Sequence, residues 1–274
     1  MARKFLLFCL TACCLTPLAQ AADMLVLGVV PYLSARKLAE LYEPMRAQLQ
    51  TATGVPVVIE SAPDYQSYLE RTRQGRYDVI ATSPYFGRLA QLEQGYEPLA
   101  RPQTNLEPLL VTRKDGVNTL EALRGKVVST SDKLANLTLA AQRYLIQNGL
   151  TPGKDVTIRP AGSHANSVQA LLNGESAAAI ISVTALRQLH PGTTVRVRVM
   201  KRLPQTTPLL YLAHKRLGTS RIDSLRSQLF QFANNTDEGK AFSKELGHGG
   251  LKDISAADMK ALDPYVQDLK VMLK

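Results

Sequence analysis

The sequence predicts an α/β protein of two lobes, each a mostly parallel sheet flanked by helices, with a ligand cleft between them. Three observations carry this. Short Val- and Leu-rich runs alternate with stretches of helical apolar spacing over nearly all of the 274 residues, the pattern of β-α-β units. That grammar occurs twice, separated by an extended stretch that Pro98, Pro102 and Pro108 punctuate. A second irregular stretch, 203–208, lies late in the chain, where it would return to the first lobe. The expected lobes are residues 22–106 with 206–274, and residues 107–205, the first crossing falling near 105–109.

The opening unit, residues 24–60, sets the frame. Residues 24–30 form an apolar run that suits a strand buried on both faces. Pro31 breaks it, and Ser34 can cap a helix starting at Ala35. Leu38, Leu41, Met45 and Leu49 share one face of that helix, and residues 55–59 read as the next strand. Such a pair is expected to be parallel with a right-handed crossover. Residues 64–73 follow as a helix and 77–81 as a strand. Ser83-Pro84 is then a strong helix start, because Pro is tolerated at the first helical position.

In the second lobe, strands are expected at 109–112, 127–129, 156–158 and 177–182. The helix carrying Leu137, Ala141, Tyr144 and Leu145 and the one carrying Val168, Leu171 and Leu172 lie between them. Val195, Val197 and Val199 alternate with Arg196 and Arg198, as on an edge strand with a solvated arginine face. After a strand at 209–213 everything beyond Ser220 reads as helical, with Ser255 and Asp258 forming a capping box.

The leader and composition narrow the class. Arg3 and Lys4 precede an apolar run, and Ala19-Gln20-Ala21 is an A-x-A cleavage site, so residues 1–21 read as a signal peptide. A competing reading takes Leu10-Thr11-Ala12-Cys13 as a lipoprotein box, with Cys13 lipidated. All three cysteines, Cys9, Cys13 and Cys14, lie in the leader. Cleavage at Ala21 would leave no thiol for a disulfide, a metal or a nucleophile, which is compatible with a bacterial periplasm. The net charge of +10 suits steering of anionic ligands. Nucleic acid is not the expected partner: the basic residues are dispersed, aromatics make up 6% with no Trp, and no nucleic-acid motif occurs.

Several stretches together resemble the phosphate/phosphonate-type (PhnD-like) periplasmic solute-binding family. They are LVLGVVPYLS, YEPMRAQLQTATGVPVVIESAPDYQSY, YDVIATSPY, LEALRGKVV, AGSHANSVQALLNGE and NTDEGKAFSKELG, spread over the mature chain. The pairing of APDY with a later GSH is the most specific feature. The resemblance implies the two-lobed type II binding-protein fold and a receptor that delivers an oxyanion-like solute to an ABC permease. Two departures bear on the ligand. Where the family carries an S-T-S-G turn, residues 135–138 read Ala-Asn-Leu-Thr, while Ser129-Thr130-Ser131 stands earlier. Ser182 stands where the resemblance implies an acidic partner for a ligand amine.

A tetrahedral oxyanion needs a ring of donors, which helix N-terminal amides and hydroxyls supply. The candidates in the first lobe are Tyr32, Ser34, Tyr65, Ser83 and Tyr85. Ser34 and Ser83, each taken alone, read as caps, and Tyr65 matches the tyrosine of APDY. In the second lobe Ser129, Thr130, Ser131, Asn136 and Thr138 compete for one donor cluster, Ser182 ends a strand, and His164 of GSH opens a helix. His190, His214 and His248 have no metal spacing, so neither metal nor cofactor is expected. An enzyme is not expected either. Ser34-Ala35-Arg36-Lys37 matches S-x-x-K, but the S-D-N and K-T-G elements that accompany it are missing, and there is no G-x-S-x-G.

The expected function is a monomeric periplasmic receptor passing a phosphate-, phosphite- or phosphonate-type anion to an inner-membrane ABC permease. The alternative is a sensor presenting the bound anion to a membrane histidine kinase. N-terminal sequencing of exported protein is expected to begin Ala22-Asp23. An acylated Cys13 would instead make this an anchored lipoprotein.

Overall fold

The computed structural model describes residues 24–273; the leader, with its cleavage site and cysteines, lies outside them. The chain opens with β1 (Leu25–Val29), α1 (Ala35–Thr53), β2 (Val57–Glu60), α2 (Tyr65–Arg73), β3 (Val79–Thr82), α3 (Pro84–Glu93) and β4 (Tyr96–Pro102). It crosses to the second lobe through residues 103–107. There follow β5 (Pro108–Arg113), a 3-10 turn at Glu121–Leu123, β6 (Val127–Thr130), α4 (Asn136–Gln147), β7 (Thr157–Pro160), α5 (His164–Leu172), β8 (Ala178–Ser182), α6 (Val183–Gln188), α7 (Pro191–Thr194) and β9 (Val197–Arg202). Residues 203–209 return the chain. The remainder comprises β10 (Leu210–His214), a 3-10 turn at Lys215–Leu217, α8 (Thr219–Asn235), α9 (Asp237–Leu246), β11 (Leu251–Lys252), α10 (Ala256–Lys260) and α11 (Asp263–Met272).

Two sheets result, a six-stranded one in the order β11-β4-β10-β3-β1-β2 and a five-stranded one in the order β7-β6-β8-β5-β9. Both are mixed, where the sequence led us to expect mostly parallel sheets. Each keeps a parallel trio, β2-β1-β3 and β7-β6-β8, whose carboxyl ends lead into helices at the cleft. A strand arriving from the other lobe starts at the cleft and must run away from it. Accordingly β5 lies antiparallel to β8, and β10 antiparallel to β3. The strands that lead out, β4 and β9, pair antiparallel with these arrivals and so end at the cleft.

The two crossings lie side by side. Leu106 and Thr206 exchange both backbone hydrogen bonds, each 2.9 Å long, in an isolated antiparallel bridge. The C-terminal segment departs once from the all-helical expectation: Leu251 and Lys252 pair with the end of β4. Two residues have no periodicity to read.

Period-two alternation places cores on both faces of each sheet. Leu25, Leu27 and Val29 of β1 join Leu38, Tyr42, Met45 and Leu49 of α1, while Val26 packs on the opposite face with Tyr68 and Tyr77. In the second lobe Leu110 and Ile180 face one core, Leu109 and Ile181 the other. The lobes also meet. Leu134, Ala135 and Leu139, at the start of α4, pack into the same cluster as Tyr85, Leu262 and Val266 of the first lobe. Arg143 of α4 stacks its guanidinium 4.7 Å from the Tyr265 ring and reaches Asp268 at 3.4 Å, both on α11.

One position in β1, the middle strand of the first lobe's parallel trio, tolerates no side chain. A Cβ on Gly28 would stand 2.3 Å from Cγ of Tyr77, whose buried ring is itself stacked on Tyr68 at 5.3 Å. Gly28→Ala is therefore expected to lower stability by about 1–3 kcal/mol through overpacking. Urea denaturation checks it; an unchanged midpoint would mean that the tyrosine pair yields freely.

Candidate functional site

A cavity of about 660 Å³ lies between the lobes, floored by both crossings and walled by residues from each sheet. Seven of the sequence candidates reach its wall: Tyr32, Tyr65, Ser83, Ser131, Asn136, His164 and Ser182. They arrive there because the parallel strands β1, β2, β3, β6, β7 and β8 all end at the cleft, and these residues stand at the strand ends or in the turns and helix starts that follow.

The helix starts at this cavity differ in how their amides are satisfied. Ser34 accepts from Lys37 N (3.4 Å), Ser163 from Asn166 N (3.1 Å) and Ser182 from Ala185 N (2.9 Å), so α1, α5 and α6 cap themselves. Two helices do not. Ser83 stands at the N-cap of α3 without making a cap hydrogen bond, and α4 begins after Ala135, which has no side-chain acceptor. Free helix N-termini carry unpaired N–H groups and a partial positive charge. These two come from opposite lobes and border the same cavity.

Between them stand side chains with spare hydrogen-bonding capacity. Tyr65 is buried with its ring edge-on to Phe86, 6.0 Å between centroids, and burial pushes its hydroxyl pKa far up, so it remains a neutral donor. The hydroxyls of Tyr65, Ser83 and Ser131 make no side-chain hydrogen bond among the described residues. The Nδ1 of His164 is buried without a partner, and burial pushes its imidazole down to about 4, against a smaller opposing contribution from the Ile180 backbone. Asn136 spans the lobes instead: its Nδ2 donates to Thr207 O at 2.9 Å, and Thr206 Oγ1 donates to its Oδ1 at 3.5 Å. Tyr32 contributes its ring to the wall, but its hydroxyl turns inward to Tyr42 at 3.2 Å.

The other five candidates lie off the wall. Ser34 is an exposed cap. Tyr85 is wholly buried, stacked on Tyr265 with ring centroids 4.6 Å apart. Ser129 faces α5 and bonds Ser167 O (2.8 Å), Ser176 Oγ (3.0 Å) and Ala178 O (3.2 Å). Thr130 and Thr138 bond each other, and Thr138 donates to Asp132 O at 2.7 Å, bracing from behind the turn that presents Ser131.

The sequence reading passed over several wall residues. Lys37, met only as the lysine of S-x-x-K, pairs with Glu245 at 3.3 Å, and Glu107 pairs with Arg202 at 2.6 Å. Thr104, Thr184 and His248 also line the cavity. Among the described residues there is no group of three or more His, Cys, Asp or Glu that could hold a metal ion.

Residues 27–259 match the family model described as the ABC transporter phosphonate periplasmic substrate-binding protein. The chain belongs to that family. It is the periplasmic substrate-binding component of an ABC transporter, with a small ligand and a membrane permease as partners. Solved structures share the fold at low identity. A binding protein component of an ABC phosphonate transporter from Pseudomonas aeruginosa matches with a TM-score of 0.78 and 18% identity over 92% of this chain and 89% of that one. A PhnD protein of Prochlorococcus marinus in complex with methylphosphonate matches with 0.78 and 15%, over 90% and 98%. A Xanthomonas citri protein bound to ATP matches with 0.76 and 17%, over 92% and 100%. The two-lobed periplasmic binding-protein fold expected from the sequence is thus present, and the sensor alternative gains no support.

Burial of the histidines has a measurable consequence for this binding protein. His164 and His248 are held near 4 and 3, below the ordinary 6.5, because burial disfavours the charged ring. The unfolded chain takes up protons near pH 6.5 that the folded one refuses. Their contribution to stability is therefore complete above pH 6.5 and falls by up to about 1.4 kcal/mol per histidine and pH unit below it. His214 shifts the same way, and Asp132, raised by burial, works in the opposite sense. Denaturation is expected to become easier from pH 6.5 to 5, and His164→Gln with His248→Gln should flatten that slope. An unaltered slope in the double variant would place the protons elsewhere.

Proposed function

We propose that the protein captures a tetrahedral phospho-oxyanion without an amine between its lobes, and that phosphate, phosphite and simple alkylphosphonates precede aminoalkylphosphonates. One observation carries the reading: the uncapped starts of α3 and α4 come from opposite lobes and border one cavity. Tyr65, Ser83, Ser131 and His164 add neutral donors around the same space. A buried oxyanion would satisfy groups that otherwise carry the cost of an unmade hydrogen bond. Both carboxylates on the wall, Glu107 and Glu245, are already paired with Arg202 and Lys37. A ligand ammonium would be buried without a free partner, which is costly.

In this reading the mature protein is exported, cleaved after Ala21, and works as a monomer without catalysis. The lobes, 22–106 with 206–274 and 107–205, hinge about the paired crossings, and closure presents the loaded form to the permease.

Calorimetry against inorganic phosphate, phosphite, methylphosphonate and 2-aminoethylphosphonate tests the ligand class. Tyr65→Phe combined with His164→Ala is expected to weaken binding of the preferred anion by roughly 2–4 kcal/mol, from two hydrogen bonds to a charged group with allowance for non-additivity. Ser129→Ala, off the wall, should leave affinity unchanged. Tightest binding of the aminoalkylphosphonate, or a double variant that binds like wild type, would refute the assignment.

A further inference from the structure

The positive charge of this chain is unevenly placed. Residues 107–205 hold 13 Lys and Arg against 6 Asp and Glu, while residues 22–106 with 206–274 hold 18 against 17. Nearly the whole surplus belongs to the second lobe. Within it, residues 176–205 contain no acidic residue and five basic ones, Arg187, Arg196, Arg198, Lys201 and Arg202. Arg187 lines the cavity. The others lie on β9 or directly before it. That strand is an edge of the five-stranded sheet, paired with β5 on one side and with no strand on the other.

The neighbouring carboxylates do not cancel this charge. Lys114 N donates to Arg196 O at 3.0 Å, so a further cation joins the row from the end of β5. Asp115, next to it, pairs with Arg113 at 3.2 Å, and Glu107 pairs with Arg202 at 2.6 Å. Lys114, Arg196 and Lys201 are exposed and form no ion pair among the described residues. Arg198 donates to the carbonyls of Gly116 and Val117, at 3.2 and 2.8 Å, and meets no carboxylate there. Beside them Val195 is 60% exposed. No residue of β9 lines the cavity between the lobes.

Charge on an edge strand ordinarily serves to keep other strands off. The opposite edge of the same sheet manages with less, since β7 carries Arg159 and ends in Pro160. The β9 edge also has a second safeguard. Leu110 faces Lys201 and Val111 faces Val199, so Met200 is an extra residue and the strand is bulged. An added strand would find no continuous ladder there, which makes this edge a poor seat for an extended acidic peptide. A lipid surface requires no register. It requires only cations on long side chains, which this edge supplies beyond what protection needs. The chain's permease partner sits in a membrane, so such a surface lies within reach.

We propose that the β9 edge of the second lobe docks on the anionic phospholipid surface of the membrane that holds the permease. Lys114, Arg196, Arg198 and Lys201 meet lipid phosphates, and Val195 enters the headgroup layer. The contact is peripheral and salt-sensitive, and it is independent of which solute the cavity holds.

The test is co-sedimentation of the full mature chain with vesicles of phosphatidylcholine alone, of phosphatidylglycerol alone and of equal parts of the two. Binding is expected to rise with the phosphatidylglycerol content and to vanish in about 1 M salt, where charges are screened within about 3 Å. Each cation near an anionic surface multiplies affinity by about fivefold. Arg196→Gln with Lys201→Gln should therefore weaken vesicle binding at least about tenfold, and Arg196→Lys should bind as the wild type does. Lys114→Gln with Lys201→Gln serves if the first pair misfolds. Lys252→Gln with Lys260→Gln removes the same charge from exposed positions of the first lobe and should leave binding within about twofold. Equal binding to neutral vesicles, or none to phosphatidylglycerol at low salt, overturns the inference. So does a first-lobe pair that loses as much as the β9 pair, since net charge alone would then be at work. Capture of polyglutamate by a chain that ignores every vesicle would assign the edge to an acidic protein and overturn it as well.

Discussion

Two backbone hydrogen bonds between Leu106 and Thr206 govern the rest of the architecture. They hold the outgoing and returning crossings together, so the lobes are joined by a pair of strands at one line. Every parallel strand of both sheets must then point its carboxyl end at that line for the helix starts to face each other. The reversed sense of β5 and β10 follows, since each begins at the line and runs away from it. The crossings themselves become the floor of the cavity, and the loop bearing His248 is bonded to one of them. The cavity floor and the connection between the lobes are therefore one structural object.

At the cavity the ordinary rule of helix capping is broken selectively. Ser34, Ser163 and Ser182 spend their hydroxyls on their own helices. Ser83 does not, and Pro84 after it already lacks an N–H, so α3 keeps a free hydroxyl beside a start that needs one fewer acceptor. Ala135 cannot cap α4 at all. A side-chain cap contributes about 1 kcal/mol to a helix, and forgoing it at two places that face one space is a cost that a bound anion can offset. The tertiary packing of Leu134, Ala135 and Leu139 against the first lobe keeps α4 in place without a cap.

What the sequence revealed was what local chemistry decides. The caps at Ser34 and Ser255, the helix start at Ser83-Pro84, the strand-to-helix junction at His164 and the apolar faces of α1 and α4 all follow from spacing and cap chemistry within a few residues; that Ser83 leaves its hydroxyl uncommitted does not. Strand direction was not legible, because β5 and β10 take theirs from the crossings. Nor was the choice among Ser129, Thr130 and Ser131. Alternation sends the first toward α5 and the second toward Thr138, and only Ser131, one residue past the end of β6, reaches the cavity. A one-residue shift of the strand end would have changed the answer. Tyr32 marks the limit at the level of a rotamer: its position on the wall was readable, the inward turn of its hydroxyl to Tyr42 was not. His248 escaped because a histidine among glycines has no periodicity, and its neighbours Thr104 and Thr184 are remote in sequence.

Charge balance sets the last constraint on how such a cavity holds an anion. The wall lysine, Lys37, is already neutralised by Glu245, and His164 is neutral when the site is empty because burial holds it near 4. The two free helix starts supply roughly half an elementary charge each, about one unit in total, and Arg187 on the cavity wall adds an exposed cation. The helix starts alone balance a monoanion. A phosphonate held as a dianion draws on Arg187 as well, or leaves close to one negative charge buried and uncompensated, an arrangement that protein interiors avoid. The charge of a dianion beside His164 would raise its pKa in turn, since an opposite charge within a few ångströms favours the protonated ring. In the reading proposed above, the anion is balanced as the monoanion, by a proton taken up at His164, or by the Arg187 guanidinium on the wall. In the first two cases the occupied cavity carries one more proton than the empty cavity and a free dianion together. Binding and release are then linked to pH through the same burial that keeps the empty site neutral.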